Sequence, residues 1–152
     1  MKLNQTVPDF SLPATGGTDF QLSAQRGRSL VIYFYPKDST PGCTTEAAQF
    51  RDHHADFAKL GCDIYGISRD SLKSHENFKA KLALPFELLV DADEAACTLF
   101  GVIKLKNMYG KQVRGIERST FLIDGKGVLR REWRTVKADG HAAEVLAAVK
   151  SF

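Results

Sequence analysis

A cysteine at the predicted start of a helix is the residue in this sequence best placed for chemistry. Thr40 precedes Cys43 as a typical helix N-cap, and Pro41 suits the first helical position. Unpaired N–H groups and the positive end of the helix dipole favour an anion there, so the nucleophilic thiolate is expected to form more easily than in a cysteine elsewhere in the chain. A reactive thiol is therefore the leading interpretation, and a small buried hydrophobic residue is the alternative.

Strand and helix patterns alternate along the chain around this cysteine. Strands are predicted at 29–35, 63–67, 87–90, 119–123 and 128–133, and helices at 40–60, 72–82, 93–100 and 139–152. Residues 10–22 predict an N-terminal β-hairpin, and 124–127 predict the turn of another. Residues 104–115 are expected to form an irregular connection. The predicted fold class is α/β, a mixed central β-sheet flanked by helices.

Length, composition and charge limit the classes of function. The chain has 152 residues, 43% of them hydrophobic and 26% charged, which is typical of one globular domain over 1–152. A net charge of +3 is too small to indicate a nucleic acid or a membrane surface as partner. The sequence shows no signal-peptide pattern and no apolar run of membrane-spanning length, so we expect a cytoplasmic protein. Its three cysteines are an odd number, which favours redox chemistry or burial over a structural disulfide.

The segment from Pro36 to Cys43 has the spacing P-x-x-x-T-x-x-C and resembles the active-site motif of the peroxiredoxin family. Thr40-Pro41-Gly42-Cys43-Thr44, with Glu46, is similar to the bacterioferritin-comigratory, or Q-type, branch. Further segments resemble the family in the same order along the chain: 7–12, 31–35, 66–68, 118–124 and 140–141. The resemblance implies a thioredoxin-like fold. It also implies a peroxidase that reduces hydrogen peroxide and organic hydroperoxides through a Cys43 thiolate and a sulfenic acid, with no metal or organic cofactor.

The same resemblance implies roles for residues around Cys43. Arg118 matches the family's arginine, whose planar, permanently charged fork can stabilise the thiolate and hold the peroxide; a surface ion pair is the alternative. Thr40 is expected to cap the helix and to present its hydroxyl to peroxide or thiolate. The backbone N–H groups of Gly42 and Cys43 are expected to hold a peroxide oxygen. Pro36 is expected to shield the sulfur, or only to end the strand.

The second cysteine that many Q-type members carry five positions after the nucleophile is absent, because that position is Ala48. Cys62 is predicted at the far end of the long helix, beyond disulfide reach of Cys43. Cys97 is a possible resolving residue, although its apolar neighbours favour a core position. The chain thus resembles the one-cysteine members of the branch. We expect an external thiol, from thioredoxin, glutaredoxin or glutathione, to regenerate Cys43.

Two other classes of function are compatible with a thioredoxin-like fold. A thiol-disulfide oxidoreductase is disfavoured because no C-x-x-C pair is present. A redox-sensing interaction protein would keep Cys43 but turn over peroxide slowly. Structural roles are expected for the four histidines in preference to a Cys–His dyad or a zinc site. We expect a monomer or a weakly associated homodimer.

Overall fold

The structure is a computed structural model that describes residues 1–152, apart from the side chain of Met108. The strands in the described chain are β1 Ser11–Ala14, β2 Thr18–Gln21, β3 Ser29–Phe34, β4 Cys62–Ser68, β5 Glu87–Val90, β6 Ile103–Met108, β7 Lys111–Ile116, β8 Ser119–Ile123 and β9 Leu129–Trp133. The α-helices there are α1 Pro41–Lys59, α2 Leu72–Leu82, α3 Ala95–Phe100 and α4 His141–Lys150. None of these helices combines the length and the apolar character needed to span a membrane.

Seven strands form one mixed sheet in the order β2-β1-β5-β4-β3-β8-β9. Strands β3, β4 and β5 are parallel, as the alternation of strands and helices predicts. Strand β1 pairs antiparallel with β2 and β5, and β8 pairs antiparallel with β3 and β9. The predicted fold class and its N-terminal hairpin are confirmed.

The sheet separates two apolar cores. Because side chains alternate across a strand, Val31 and Tyr33 of β3 point to one face while Ile32 and Phe34 point to the other. Apolar residues of α1, α2 and α4 bury the first face, which we call the α1 face. Residues of α3 and of the segment after it bury the opposite face, which we call the α3 face. A side chain on one face is therefore separated from the other face by the strands themselves.

The prediction of an irregular connection over 104–115 is wrong. Strands β6 and β7 form an antiparallel hairpin there, joined at Tyr109 and Gly110, which both have positive φ. This two-stranded sheet is separate from the central one and buries few side chains. Its sequence is therefore rich in basic residues, leaves Leu105 and Tyr109 exposed, and lacks the pattern that predicts a strand. The last helix is also shorter than predicted, since it begins at His141.

The strand pairing brings two distant parts of the chain to one edge of the sheet. Strands β3 and β8 are antiparallel, with Phe34 opposite Ser119, so the end of β3 lies beside the start of β8. The loop that leads from β3 into α1 therefore starts next to Arg118. This edge also holds the ends of the parallel strands, where α/β proteins place their sites.

Candidate active site

Cys43 lies in the first turn of α1, at the junction that follows β3. Thr40 is the N-cap residue with extended backbone, and Pro41 occupies the first helical position as predicted. Ser39 has a φ of 62°, so the chain turns through the left-handed region just before the helix. Cys43 is only 1% exposed and packs in the core of the α1 face. A small oxidant can approach this sulfur far more easily than a large molecule can.

The hydroxyl of Thr40 does not cap the helix, contrary to the prediction. It donates a hydrogen bond of 2.8 Å to the carbonyl oxygen of Lys37, inside the loop. This bond fixes the rotamer of Thr40 and uses its only proton, so its oxygen remains as an acceptor. The N–H groups of Gly42 and Cys43 receive no side-chain cap from Thr40 and point out of the start of the helix.

Arg118 reaches both Cys43 and a buried glutamate. Its Nη2 lies 3.5 Å from Cys43 Sγ, and its Nη1 donates a 2.6 Å hydrogen bond to Glu46 Oε1. Burial alone would lower the pKa of Arg118. The charges of Glu46 and Cys43 and the bonds to them outweigh that effect, so its pKa is raised above the ordinary value. Arg118 thus holds a permanent positive charge against the sulfur.

The close approach of Arg118 depends on glycine at position 42. A Cβ atom at Gly42 would lie 3.0 Å from Arg118 Nη2, tighter than an ordinary contact. A side chain at this position would therefore require the guanidinium to shift slightly. Sequence reasoning had assigned only the N–H of Gly42 a role, because this steric requirement is a tertiary contact.

Glu46 lies one helical turn after Cys43 and is fully buried. Burial raises its pKa from 4.5 to about 7, because desolvation outweighs the attraction of Arg118. Its second oxygen, Oε2, and the hydroxyl of Tyr33 have no hydrogen-bond partner among the described residues. The place of Tyr33 beside the site was not predicted from the sequence. Near neutral pH Glu46 binds and releases a proton and so alters the net charge beside Cys43.

The three cysteines are free, buried and well separated in the fold. Cys62 is at the start of β4, and burial raises the pKa of its thiol to about 12. Cys97 is fully buried on the α3 face, opposite to Cys43, where burial and the nearby Asp91 raise the pKa of its thiol. The sheet therefore lies between Cys43 and Cys97.

Pro36 is half-buried directly after Tyr35, in the loop that leads to α1. His75 and His141 are buried and hydrogen-bonded away from Cys43. His141 Nε2 lies 2.8 Å from Thr120 Oγ1, and burial lowers the pKa of His141. Pro36, Thr40, Gly42, Cys43 and Arg118 thus lie together at one edge of the sheet, whereas Cys97 lies on the opposite face from Cys43.

Comparisons with known proteins agree with this geometry. The AhpC/TSA family model matches residues 3–132. The chain belongs to this family and is a peroxiredoxin of the Bcp, or Q-type, branch. It is 57% identical to peroxiredoxin Bcp of Xanthomonas campestris pv. campestris over 99% of this chain and 94% of that protein. It is 50% identical to peroxiredoxin Bcp of Bacillus subtilis over 100% of this chain and 97% of that protein.

Solved structures give the same result. The structure of a Xylella fastidiosa PrxQ mutant matches with a TM-score of 0.95 at 42% identity, covering 99% of this chain and 96% of that one. A structure of the Xanthomonas campestris bacterioferritin comigratory protein matches with a TM-score of 0.90 at 56% identity, covering 93% of this chain and 90% of that one. That protein is described for its alkyl peroxide reduction activity. The peroxiredoxin is accordingly a thiol-dependent peroxidase that uses a peroxide substrate and a thiol reductant.

The raised pKa of Glu46 predicts a specific dependence of stability on pH. Between its unfolded value of 4.5 and its folded value of about 7, the folded state binds more protons than the unfolded state. The contribution of Glu46 is thus fully present below pH 4.5 and is lost as the pH rises to about 7. Glu46→Gln keeps an acceptor for Arg118 and does not titrate. We expect the free energy of unfolding of the parent to fall relative to that of Glu46→Gln over this window, measured by chemical denaturation. Parallel pH profiles of the two proteins would contradict this assignment.

Proposed function

We propose that this peroxiredoxin reduces hydrogen peroxide and organic hydroperoxides by direct attack of the Cys43 thiolate on a peroxide oxygen. The sulfur donates an electron pair to that oxygen, the O–O bond breaks, and the second oxygen leaves as hydroxide or alkoxide and takes up a proton. The products are a sulfenic acid on Cys43 and water or an alcohol. The observation that carries the proposal is the contact of 3.5 Å between Cys43 Sγ and Arg118 Nη2 in the first turn of α1.

Fixed donors around the sulfur match the charge that moves during this attack. Negative charge leaves sulfur and appears on the departing oxygen, so groups already oriented along this path stabilise the transition state. Arg118 supplies a charged donor, and the free N–H groups of Gly42 and Cys43 supply neutral ones. Thr40, whose proton is bonded to Lys37, offers its oxygen as acceptor for the O–H of the peroxide. Pro36 shields the sulfur from water.

An external thiol completes the cycle in this proposal. The thiol attacks the sulfenic sulfur, water leaves, and a mixed disulfide with Cys43 forms; a second thiol then releases reduced Cys43. Cys97 is an unsuitable internal partner because the sheet lies between the two sulfurs, and the raised pKa of its thiol leaves little thiolate. The reductant is a small thiol such as glutathione or the dithiol of thioredoxin or glutaredoxin. The activity serves antioxidant defence.

Substitution of each cysteine tests the assignment of the nucleophile and the absence of an internal resolver. We expect Cys43→Ser to abolish peroxide consumption. Cys62→Ser and Cys97→Ser should retain most of the rate of the first oxidation, followed by stopped flow. Cys97→Ser should also continue to turn over with an added thiol. Single-turnover behaviour of Cys97→Ser, with a Cys43–Cys97 disulfide in the peroxide-treated parent, would overturn the one-cysteine cycle.

Replacement of Arg118 by lysine tests the requirement for a planar, forked donor. Lysine keeps the charge but cannot contact Cys43 and Glu46 with two parallel N–H groups. We expect Arg118→Lys to lower the second-order rate constant with peroxide by roughly a hundredfold, comparable to the loss of one oriented transition-state donor. Arg114→Lys is the matched control, since Arg114 lies in β7 and pairs with Glu94. Equal rates for the two variants would remove Arg118 from the mechanism.

A further inference from the structure

A buried carboxylate lies in the loop that leads into α1. Asp38 is 5% exposed, and its Oδ1 accepts a hydrogen bond of 2.6 Å from the hydroxyl of Tyr35. Its Oδ2 accepts a 2.8 Å bond from Ser74 Oγ and lies 2.7 Å from His75 Nδ1. Ser74 and His75 belong to α2, so these bonds join the loop to a different helix. The mechanism described above uses none of these residues.

Both ring nitrogens of His75 face oxygen acceptors. Nδ1 faces the carboxylate of Asp38, and Nε2 lies 2.8 Å from the carbonyl oxygen of Leu89 in β5. A carbonyl oxygen only accepts, so Nε2 must carry a proton. Burial alone would raise the pKa of Asp38, but the bonds from His75, Tyr35 and Ser74 outweigh it and lower that pKa. The 2.7 Å distance between Nδ1 and Asp38 Oδ2 is that of a short hydrogen bond, so His75 joins Asp38 in the loop to Leu89 in β5.

Asp38 is also fixed through its backbone. Its N–H donates a 3.0 Å hydrogen bond to Asp70 Oδ2, and Ser68 Oγ donates a 2.5 Å bond to the same oxygen. Through Asp38, the loop is thus hydrogen-bonded both to Asp70, which follows β4, and to the first turn of α2. The chain then turns through the left-handed region at Ser39, directly before the N-cap residue Thr40. A displacement of Asp38 would pass directly into the first turn of α1, where Cys43 lies.

We propose that His75 is a positioning residue for peroxide reduction: through its hydrogen bonds to Asp38 and to Leu89, it holds the loop 36–40 and the start of α1 in the geometry in which Cys43 reacts. The inference rests on the proposed function of Cys43 as the nucleophile. It assigns no contact between His75 and the peroxide.

The hydrogen bonds of His75 to Asp38 and Leu89 are expected to have opposite effects on the two halves of the catalytic cycle. Attack on a peroxide needs the first turn of α1 held in place, since small displacements of reacting groups are costly. Attack of a thiol on the sulfenic acid instead needs the first turn of α1 to move. Cys43 is 1% exposed, and the thiol sulfur must come into bonding contact with it. Loss of one of these hydrogen bonds should therefore lower the rate of oxidation of Cys43. The rate at which a thiol reduces the sulfenic acid should stay the same or rise. A general loss of structure would slow both.

Two isosteric substitutions of His75 separate its two hydrogen bonds. The side-chain amide of His75→Asn can replace Nδ1 opposite Asp38, and that of His75→Gln can replace Nε2 opposite Leu89. We expect His75→Gln to lower the second-order rate constant of oxidation by peroxide about tenfold or more. His75→Asn should retain more of that rate than His75→Gln. The reaction of the sulfenic acid with a small dithiol should be as fast as in the parent or faster in both variants. His53→Gln, on the partly exposed side of α1, is the matched control.

The results distinguish failure of this inference from failure of the proposed function. Rapid oxidation of the parent that is lost in Cys43→Ser, together with an unchanged oxidation rate in His75→Gln, would overturn only the role of His75. Oxidation that persists in Cys43→Ser would overturn the proposed function itself. If neither His75 variant folds, nuclear magnetic resonance of the parent labelled with ¹⁵N decides the matter. We expect Nε2 of His75 to carry a proton that is hydrogen-bonded to the carbonyl oxygen of Leu89, and an Nε2 without a proton would contradict the proposal.

Discussion

A sulfur that must carry negative charge inside a protein needs a fixed positive partner, because burial otherwise favours the neutral thiol. In this peroxiredoxin the partner is Arg118, whose guanidinium contacts both Cys43 and Glu46. Several other features follow from that contact. Gly42 has no side chain where the guanidinium passes, and antiparallel pairing of β3 with β8 brings Arg118 to the edge where α1 begins. Glu46 accepts a hydrogen bond from the guanidinium and so helps to orient it. Burial raises the pKa of Glu46 to about 7.

The central sheet determines which sulfurs can meet. Cys43 belongs to the α1 face and Cys97 to the α3 face, so a disulfide between them would require a strand or a helix to leave the sheet. Cys62 shares the face of Cys43 but lies at the start of β4, beyond the far end of α1. Cys43 is buried, so in the proposed cycle a sulfenic acid on Cys43 would be hidden from a thiol. The proposed regeneration would therefore require movement at the start of α1, and our proposal assigns control of that movement to the Asp38–His75 pair.

Local signals in the sequence were sufficient for much of the fold. The apolar run of β3 and the Thr40-Pro41 start of α1 predict the strand, the helix and the position of Cys43 between them, because these signals act over a few residues. The hairpin of β6 and β7 was missed because its strands are rich in basic residues and bury little apolar surface. No local signal distinguishes Arg118 from other arginines, so it was found only through the family motif. The pair of Asp38 and His75, 37 positions apart, is a tertiary contact that neither spacing nor motif predicts.

The mass of the parent protein after treatment with one equivalent of hydrogen peroxide, in the absence of thiol, tests the central claim most directly. A lone Cys43 thiolate held by Arg118 predicts a gain of one oxygen atom per chain, on the peptide that contains Cys43, in a form that a sulfenic acid reagent traps. Reduction with a thiol should restore the original mass. A loss of two hydrogen atoms with a disulfide between Cys43 and Cys97, or a primary oxidation at Cys62 or Cys97, would contradict the account.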